Sequence, residues 1–333
     1  MRRAISNACL ASLLLSIWLA VYVGAAAAQS GSYPSKPIHW IVPYTAGSFV
    51  DVFARKLAPV VAREMNGVIV IENRPGASGV IGATEVAKAA PDGYTFLYAI
   101  ADPLIAATVL VKDIPYDPFK NFTLITKVQS GPPMLIANPN NKANSLREFL
   151  ELAKTERTTY GSFGPGSFPQ LMMEQLALDA GVKLEEVAYR SPPQAIQEVT
   201  SNQTSATFTS PPTAKSFQDS GRAKVFAVAG PSRLAAFPNT PTIQELGFNS
   251  LILRNPVWSG LFGPAALPSD IVQANVKAIH RAIKDPELMQ WASSVSVDLL
   301  EMTSAEFQSV FWQEYDAVTA LIRKANIKDP SQN

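Results

Sequence analysis

Four short stretches rich in Gly, Ser, Thr and Pro are where residue type and spacing in this 333-residue chain suggest chemistry. They are Pro43 to Asp51, Asn73 to Gly82, Gly161 to Phe168 and Tyr189 to Pro193. Each follows a β-rich run and precedes a helical pattern, so each opens a helix. The first N–H groups of a helix lack intrahelical partners and lie at the positive end of its dipole. Such a terminus holds a carboxylate without Arg or Lys. The chemistry suggested is the binding of a small anion. Every α/β protein has loops of this kind, so the signal lies in their number and not in any one of them.

Catalytic constellations are poorly represented. His39 and His280 are the two histidines. The first alternates with apolar residues on a predicted strand and the second sits on an amphipathic helix, so both read as structural. No Gly-x-Ser-x-Gly elbow is present, and no two histidines stand at metal-ligand spacing. Gly76, Gly79 and Gly82 do not match the dinucleotide fingerprint, and Gly164-x-Gly166 lacks its third glycine because Pro169 holds that place. No Walker-type lysine follows either loop. Glu185 and Glu186 face opposite sides of a strand, which makes them a poor acid/base pair. Neither a cofactor nor a metal is expected.

Net charge is +1 and no Lys/Arg run stands out, which argues against nucleic acid as a partner. Met1-Arg2-Arg3, the apolar run Leu10 to Val23 and the small residues Ala25 to Ala28 have the three-part order of a secretory signal peptide, residues 1–28. A membrane anchor is the competing reading of that run. Cys9, the single cysteine, lies inside it, so the mature chain has no thiol and no disulfide. Arg2 and Arg3 leave with the leader and no acid does, so the body is nearly neutral and any anion site must be local.

The elements behind the loops alternate. Strands are predicted at Ile38–Val42, Val68–Ile71, Tyr94–Ala99, Met134–Ala137, Thr158–Ser162, Leu184–Tyr189, Ser205–Thr209 and Lys224–Ala229. Helices are predicted at Asp51–Met65, Val80–Ala89, Ser145–Lys154, Phe168–Ala180 and from Pro192 to about Thr200, then Ser269–Lys284, Pro286–Ser293 and Ser304–Ala325. Asp51 is expected to be the N-cap of the first helix, and Pro59 to kink or split it. The rhythm indicates an α/β fold, in which ligands collect beyond the carboxyl ends of strands.

Several segments, in order along the chain, resemble the receptors of the tripartite tricarboxylate transporters, also called the Bordetella uptake gene family. They are Tyr33-Pro-Ser-Lys-Pro-Ile38, Glu72-Asn-Arg-Pro-Gly-Ala-Ser-Gly79, Ala89-Ala-Pro-Asp-Gly-Tyr-Thr95, Tyr116-Asp-Pro-Phe119, Tyr160-Gly-Ser-Phe-Gly-Pro-Gly-Ser167, Pro241-Thr-Ile-Gln-Glu-Leu-Gly247 and Trp258-Ser-Gly-Leu261. The resemblance implies a two-lobed periplasmic-binding-protein fold of the Venus-flytrap type with its cleft between the lobes. Residues 29–130 and 254–333 would form one lobe and 131–253 the other. It further implies a monomeric periplasmic receptor that binds a small mono- or dicarboxylate and delivers it to membrane permease subunits. A binding protein that feeds a signalling partner and an exported enzyme are the alternatives.

Residues expected at the site are Tyr44, Thr45, Ala46, Gly47, Ser48 and Phe49 from one lobe. The other lobe would add Ser162, Phe163, Gly164, Gly166, Ser167, Arg190 and Ser191. The chain departs from the family pattern here, with Ala188-Tyr-Arg-Ser191 in place of Pro-Tyr-Lys-Gly and Thr207 roughly where the family has an Asp. Phe49, Phe163 and Phe168 either add aromatic surface to the cleft or pack beneath the loops. Arg190 either reaches a carboxylate or is a solvated charge at a strand end.

Overall fold

The computed structural model describes residues 33–328. The expected leader 1–28, with its expected cleavage point and Cys9, lies outside the described residues. Among the described residues no helix is long and apolar enough to cross a membrane.

In chain order the elements are β1 (Ile38–Val42), α1 (Phe49–Glu64), β2 (Ile69–Asn73), α2 (Val80–Ala87), β3 (Thr95–Ala99), α3 (Ala106–Leu110) and β4 (Phe122–Gly131). Then come β5 (Met134–Ala137), α4 (Leu146–Leu152), β6 (Thr159–Ser162), α5 (Phe168–Ala180), β7 (Glu185–Ala188), α6 (Pro192–Thr200), β8 (Ala206–Thr209), α7 (Pro211–Asp219) and β9 (Lys224–Val228). The chain closes with α8 (Leu251–Arg254), β10 (Val257–Pro264), α9 (Ser269–Ala282), α10 (Pro286–Ser294), β11 (Asp298–Leu299) and α11 (Ser304–Lys324).

The strands form two sheets, one ordered β11-β4-β10-β3-β1-β2 and the other β7-β6-β8-β5-β9. In the first, β1 runs parallel to β2 and β3, while β10 is antiparallel to β3 and β4. In the second, β6 runs parallel to β7 and β8, and β5 is antiparallel to β8 and β9. The chain passes between sheets twice. Pro132-Pro133 joins β4 directly to β5, and the return runs through α8 and Asn255-Pro256 into β10.

Each lobe has its own core. On the larger sheet Trp40 stacks on Tyr98 at 5.6 Å, and Phe53 of α1 also stacks on Tyr98, at 6.4 Å. Helix α1 buries Phe53, Ala54, Leu57, Ala58 and Val61 on one face. Full burial of an aromatic such as Phe53 contributes about 1.5–3 kcal/mol. The smaller sheet packs Leu135, Phe149, Tyr160, Met173, Leu176 and Phe208 together.

One sequence expectation about these elements needs correction, and two strands had not been predicted. Helix α1 is continuous through Pro59. Pro59 sits on the exposed face, where water can hydrate the carbonyl left without its donor, so the helix survives the missing bond. Strands β4 and β10 were not legible. The β10 segment, Val-Trp-Ser-Gly-Leu-Phe-Gly-Pro, carries two glycines and a proline. A Cβ on Gly260 would lie 2.9 Å from both Phe307 and the Thr126 carbonyl, so a packing demand placed the glycine there.

Candidate functional site

The lobes enclose a cleft of about 490 Å³. It lies beyond the carboxyl ends of β1, β2, β6, β7 and β8, where the loops lead into helices. Of the residues expected from the sequence, Tyr44, Thr45, Gly47, Ser48, Phe49, Phe163, Ser167, Arg190 and Ser191 line it. Ala46, Ser162, Gly164 and Gly166 are not on its wall.

The β1–α1 loop is held from within. Ser48, not Asp51, is the N-cap of α1, and its Oγ accepts from the Asp51 N–H at 3.3 Å. Asp51 lies one turn further in, 2% exposed, and accepts from the Gly47 N–H at 2.8 Å, from Arg55 and from Asn73 Nδ2 at 2.8 Å. This is a variant of a capping box, in which the acid at the third helical position reaches the N–H one residue before the N-cap. Burial alone would raise the Asp51 pKa; Arg55, the Gly47 amide and Asn73 together hold it below the usual carboxylate range. Asp51 therefore fixes the loop without presenting charge to a ligand. Gly47 turns with φ +82°, which glycine adopts freely.

On the facing lobe, the polar groups of the Gly161 to Phe168 loop bond to one another and to Glu186 and Gln170 of the same lobe. Ser162 Oγ donates to Glu186, Gly164 N–H to Ser162 Oγ, Gly166 N–H to Gln170 Oε1 and Phe163 N–H to Ser167 Oγ. Phe163 and Phe168 meet edge-to-face at 5.4 Å and both face the cleft, as does Phe49. With Ile100, Ile196, Val257 and Val297 they make most of the wall apolar.

Three helices of the smaller-sheet lobe open with Ser followed by proline: Ser167-Phe168-Pro169, Ser191-Pro192-Pro193 and Ser210-Pro211-Pro212. Proline suits the first turn but has no N–H to offer. Helices α6 and α7 thus lack the first two amide donors that would make an anion cradle. The Tyr189 to Pro193 loop, one of the four helix starts singled out in the sequence, therefore offers no amide from its first two helical positions. The donors left in this region are the hydroxyls of Ser191, Ser210 and Thr213, and Arg190. Arg190 is exposed on the wall, and among the described residues no acid pairs with its guanidinium. Only its backbone N–H is engaged, with Gln194 Oε1 at 3.2 Å.

Further groups on the wall were not among the residues expected at the site, although the first of them belongs to the Asn73 to Gly82 loop singled out from the sequence. Loop residues Pro75 to Gly79 form part of the wall, with Ala77 at φ +48° and Ser78 at φ +52°. Two adjacent non-glycine residues in the left-handed region are strained, by on the order of 1–3 kcal/mol each. Ser78 Oγ donates across the cleft to the Pro165 carbonyl at 3.2 Å, where the sequence marks the loop only as glycine-rich. Ser210 and Thr213 follow the same Ser-Pro-Pro signal as Ser191, which is visible in the sequence. Gln129 lies on β4, itself unread. Asp102, after β3, carried no local signal.

Asp102 and Arg190 are the charged side chains on the wall. The Asp102 carboxyl is pushed up to about 7 by burial and by the nearby Glu314, although the Phe168 N–H of the other lobe donates to it. Glu314 is raised by burial too, against the hydrogen bond it accepts from Trp258 Nε1 at 2.6 Å. The hydroxyl of Tyr44 is raised by its burial and then by Asp102.

A two-lobed α/β body with a cleft at its strand ends is the architecture of periplasmic solute-binding proteins. A family model described as "Tripartite tricarboxylate transporter family receptor" matches residues 53–327. The chain is 30% identical over 316 residues to a UPF0065 protein of Bordetella bronchiseptica, covering 95% of this chain and 93% of that one. A solved structure described as that of a periplasmic transporter is 32% identical, with a TM-score of 0.81 over 89% of this chain and 99% of the other. Rpa4515 of R. palustris, solved with adipate, shares the fold at 22% identity and a TM-score of 0.82, over 89% of this chain and 99% of its own. The chain belongs to the tripartite tricarboxylate transporter receptor family. Proteins of this family are solute-binding proteins.

Proposed function

We propose that this protein captures a small carboxylate in the periplasm, closes two lobes around it and presents it to the membrane permease subunits of a tripartite transporter. The lobes are residues 29–130 with 254–333, and residues 131–253. The leader 1–28 directs export and is removed, and the receptor acts as a monomer.

The observation that carries this reading is Arg190, an unpaired guanidinium on the wall of a cleft that is otherwise mostly apolar. An ionised carboxylate matches its planar fork in two parallel hydrogen bonds. Ser191, Ser210 and Thr213 add hydroxyl donors beside it. From the opposite lobe, the start of α1 contributes the N–H groups of Phe49 and Val50 and the hydroxyl of Thr45. Phe49, Phe163 and Phe168 suit a ligand with a flat or aliphatic body, and the adipate held by Rpa4515 is of that kind. Closure then assembles the two halves of the site.

The test is a melting screen of the purified receptor against mono- and dicarboxylates, followed by calorimetry on the hits. A true ligand at 100 times its Kd stabilises by about 2.7 kcal/mol. If carboxylates leave the melting point unmoved while amines or sugars raise it, the proposal is wrong.

A further inference from the structure

Beside the cleft, three buried polar side chains run in line. Tyr98 on β3 and Ser259 on β10 are 0% exposed and Gln129 on β4 is 2% exposed. Tyr98 Oη lies 2.6 Å from Ser259 Oγ, and Gln129 Nε2 is placed 2.8 Å from the same oxygen, which leaves Oε1 as the other amide atom. Gln129 reaches the cleft wall and the other two do not. The amide atom of Gln129 that is not against Ser259 has no hydrogen-bond partner in the protein. A buried polar atom left in that condition is costly unless something else satisfies it.

Counting donors decides which atom that is. The nitrogen and oxygen of an amide exchange places by a half-turn, so the choice rests on the network. Tyr98 has one proton, and Ser259 is the only acceptor it meets among the described residues. The Ser259 oxygen therefore receives the tyrosine proton, and its own proton needs an acceptor in turn. With the Gln129 NH2 against Ser259, that proton is stranded and so is the amide oxygen. With the amide oxygen against Ser259, every hydroxyl proton in the chain is used. The groups left over are then the two N–H donors of Gln129, a residue of the cleft wall whose free amide end is covered in the unliganded protein.

We infer that Gln129 is a ligand-contacting residue, held with its NH2 group toward the cleft by Ser259 and Tyr98, and that it binds an acceptor oxygen of the ligand. Arg190 stands on the other lobe, after β7. The ligand then carries an oxygen acceptor for Gln129 in addition to the carboxylate at Arg190, with its apolar body against the aromatic wall between them. Tyr98 and Ser259 are positioning residues. This inference rests on the carboxylate reading of the cleft for its choice of probes.

The probes are two matched pairs, adipate with hexanoate and terephthalate with benzoate, each differing in one carboxylate. Calorimetry on the wild type is expected to show at least one dicarboxylate binding roughly tenfold or more tighter than its partner, the scale of one hydrogen bond to a charged group. In Gln129→Met the ratio collapses toward one. In Tyr98→Phe, which keeps the ring stacking and touches no ligand, the ratio falls several-fold because either amide orientation then satisfies Ser259. A purely structural Tyr98 would leave the ratio unmoved. Unliganded melting curves establish that each variant folds, and Tyr98→Phe carries the test if Gln129→Met does not. Intact binding with an unchanged ratio in the folded variants overturns the role of Gln129 alone. Failure of all four probes on the wild type overturns it together with the carboxylate reading.

Discussion

Among single residues, two charges on the cleft wall differ in what they do. Arg190 is expected to carry ligand charge, so Arg190→Ala should weaken carboxylate binding roughly ten- to hundredfold, with Arg190→Lys between it and the wild type. Calorimetry reads this, and an unchanged Kd would return the load to backbone amides. Asp102 is expected to shape the pH response. Its carboxyl, pushed up to about 7 from an ordinary value of 3.8, keeps its proton in the folded protein where the unfolded chain has released it. Stability must then fall as pH rises from about 4 to about 7, since the native state binds more protons across that window. Asp102→Asn removes that slope and leaves the one from Glu314. Melting curves at pH 5 and pH 8 should show the variant gaining on the wild type at the higher pH, and an equal difference at both would refute the assignment.

At the level of elements, helices were legible where capping and periodicity agreed, and strands where β-branched residues ran together. The bounds Ile38–Val42, Met134–Ala137, Phe168–Ala180 and Pro192–Thr200 follow directly from the sequence. What was hidden depended on partners far along the chain. Strand β10 tolerates Gly260 because Phe307 of α11 needs the space, and β4 mixes polar and apolar residues because β10 and β11 flank it on two sides. The site was half legible for the same reason. Loop composition marks helix starts, but which loops face each other is a property of two sheets, and Gln129 and Asp102 emerge only from that meeting. The capping error at Asp51 was local: Ser and Asp both suit an N-cap, and the hydrogen bonds that Arg55 and Asn73 give the buried Asp51 decided between them. Ser48→Ala should therefore cost about 0.5–2 kcal/mol in chemical unfolding. A loss below that range would show that Asp51 alone fixes the start of α1.

For the whole molecule, closure is a matter of contacts between lobes. A Cβ on Gly166 would come within 2.6 Å of the Ala106 Cβ on the other lobe, whereas one on Gly164 would meet nothing within 4 Å. Both glycines have positive φ, so an alanine at either strains its own loop. Comparing Gly166→Ala with Gly164→Ala subtracts that strain. The first should show a larger radius in small-angle scattering and weaker ligand binding, and the second should behave as the wild type in both. Equal behaviour would mean that the lobes do not approach there in solution. The paired prolines at one crossing and Pro256 at the other act on the way the halves travel. Proline rings fix φ at three points of the two connections, which narrows the ways in which the halves can slide or wobble independently. The assembly is then expected to move mainly as a door on two pins rather than as a bead on a string. Distances between spin labels placed at different points across the gap should accordingly rise and fall together, so that any one of them reports the angle of all the rest.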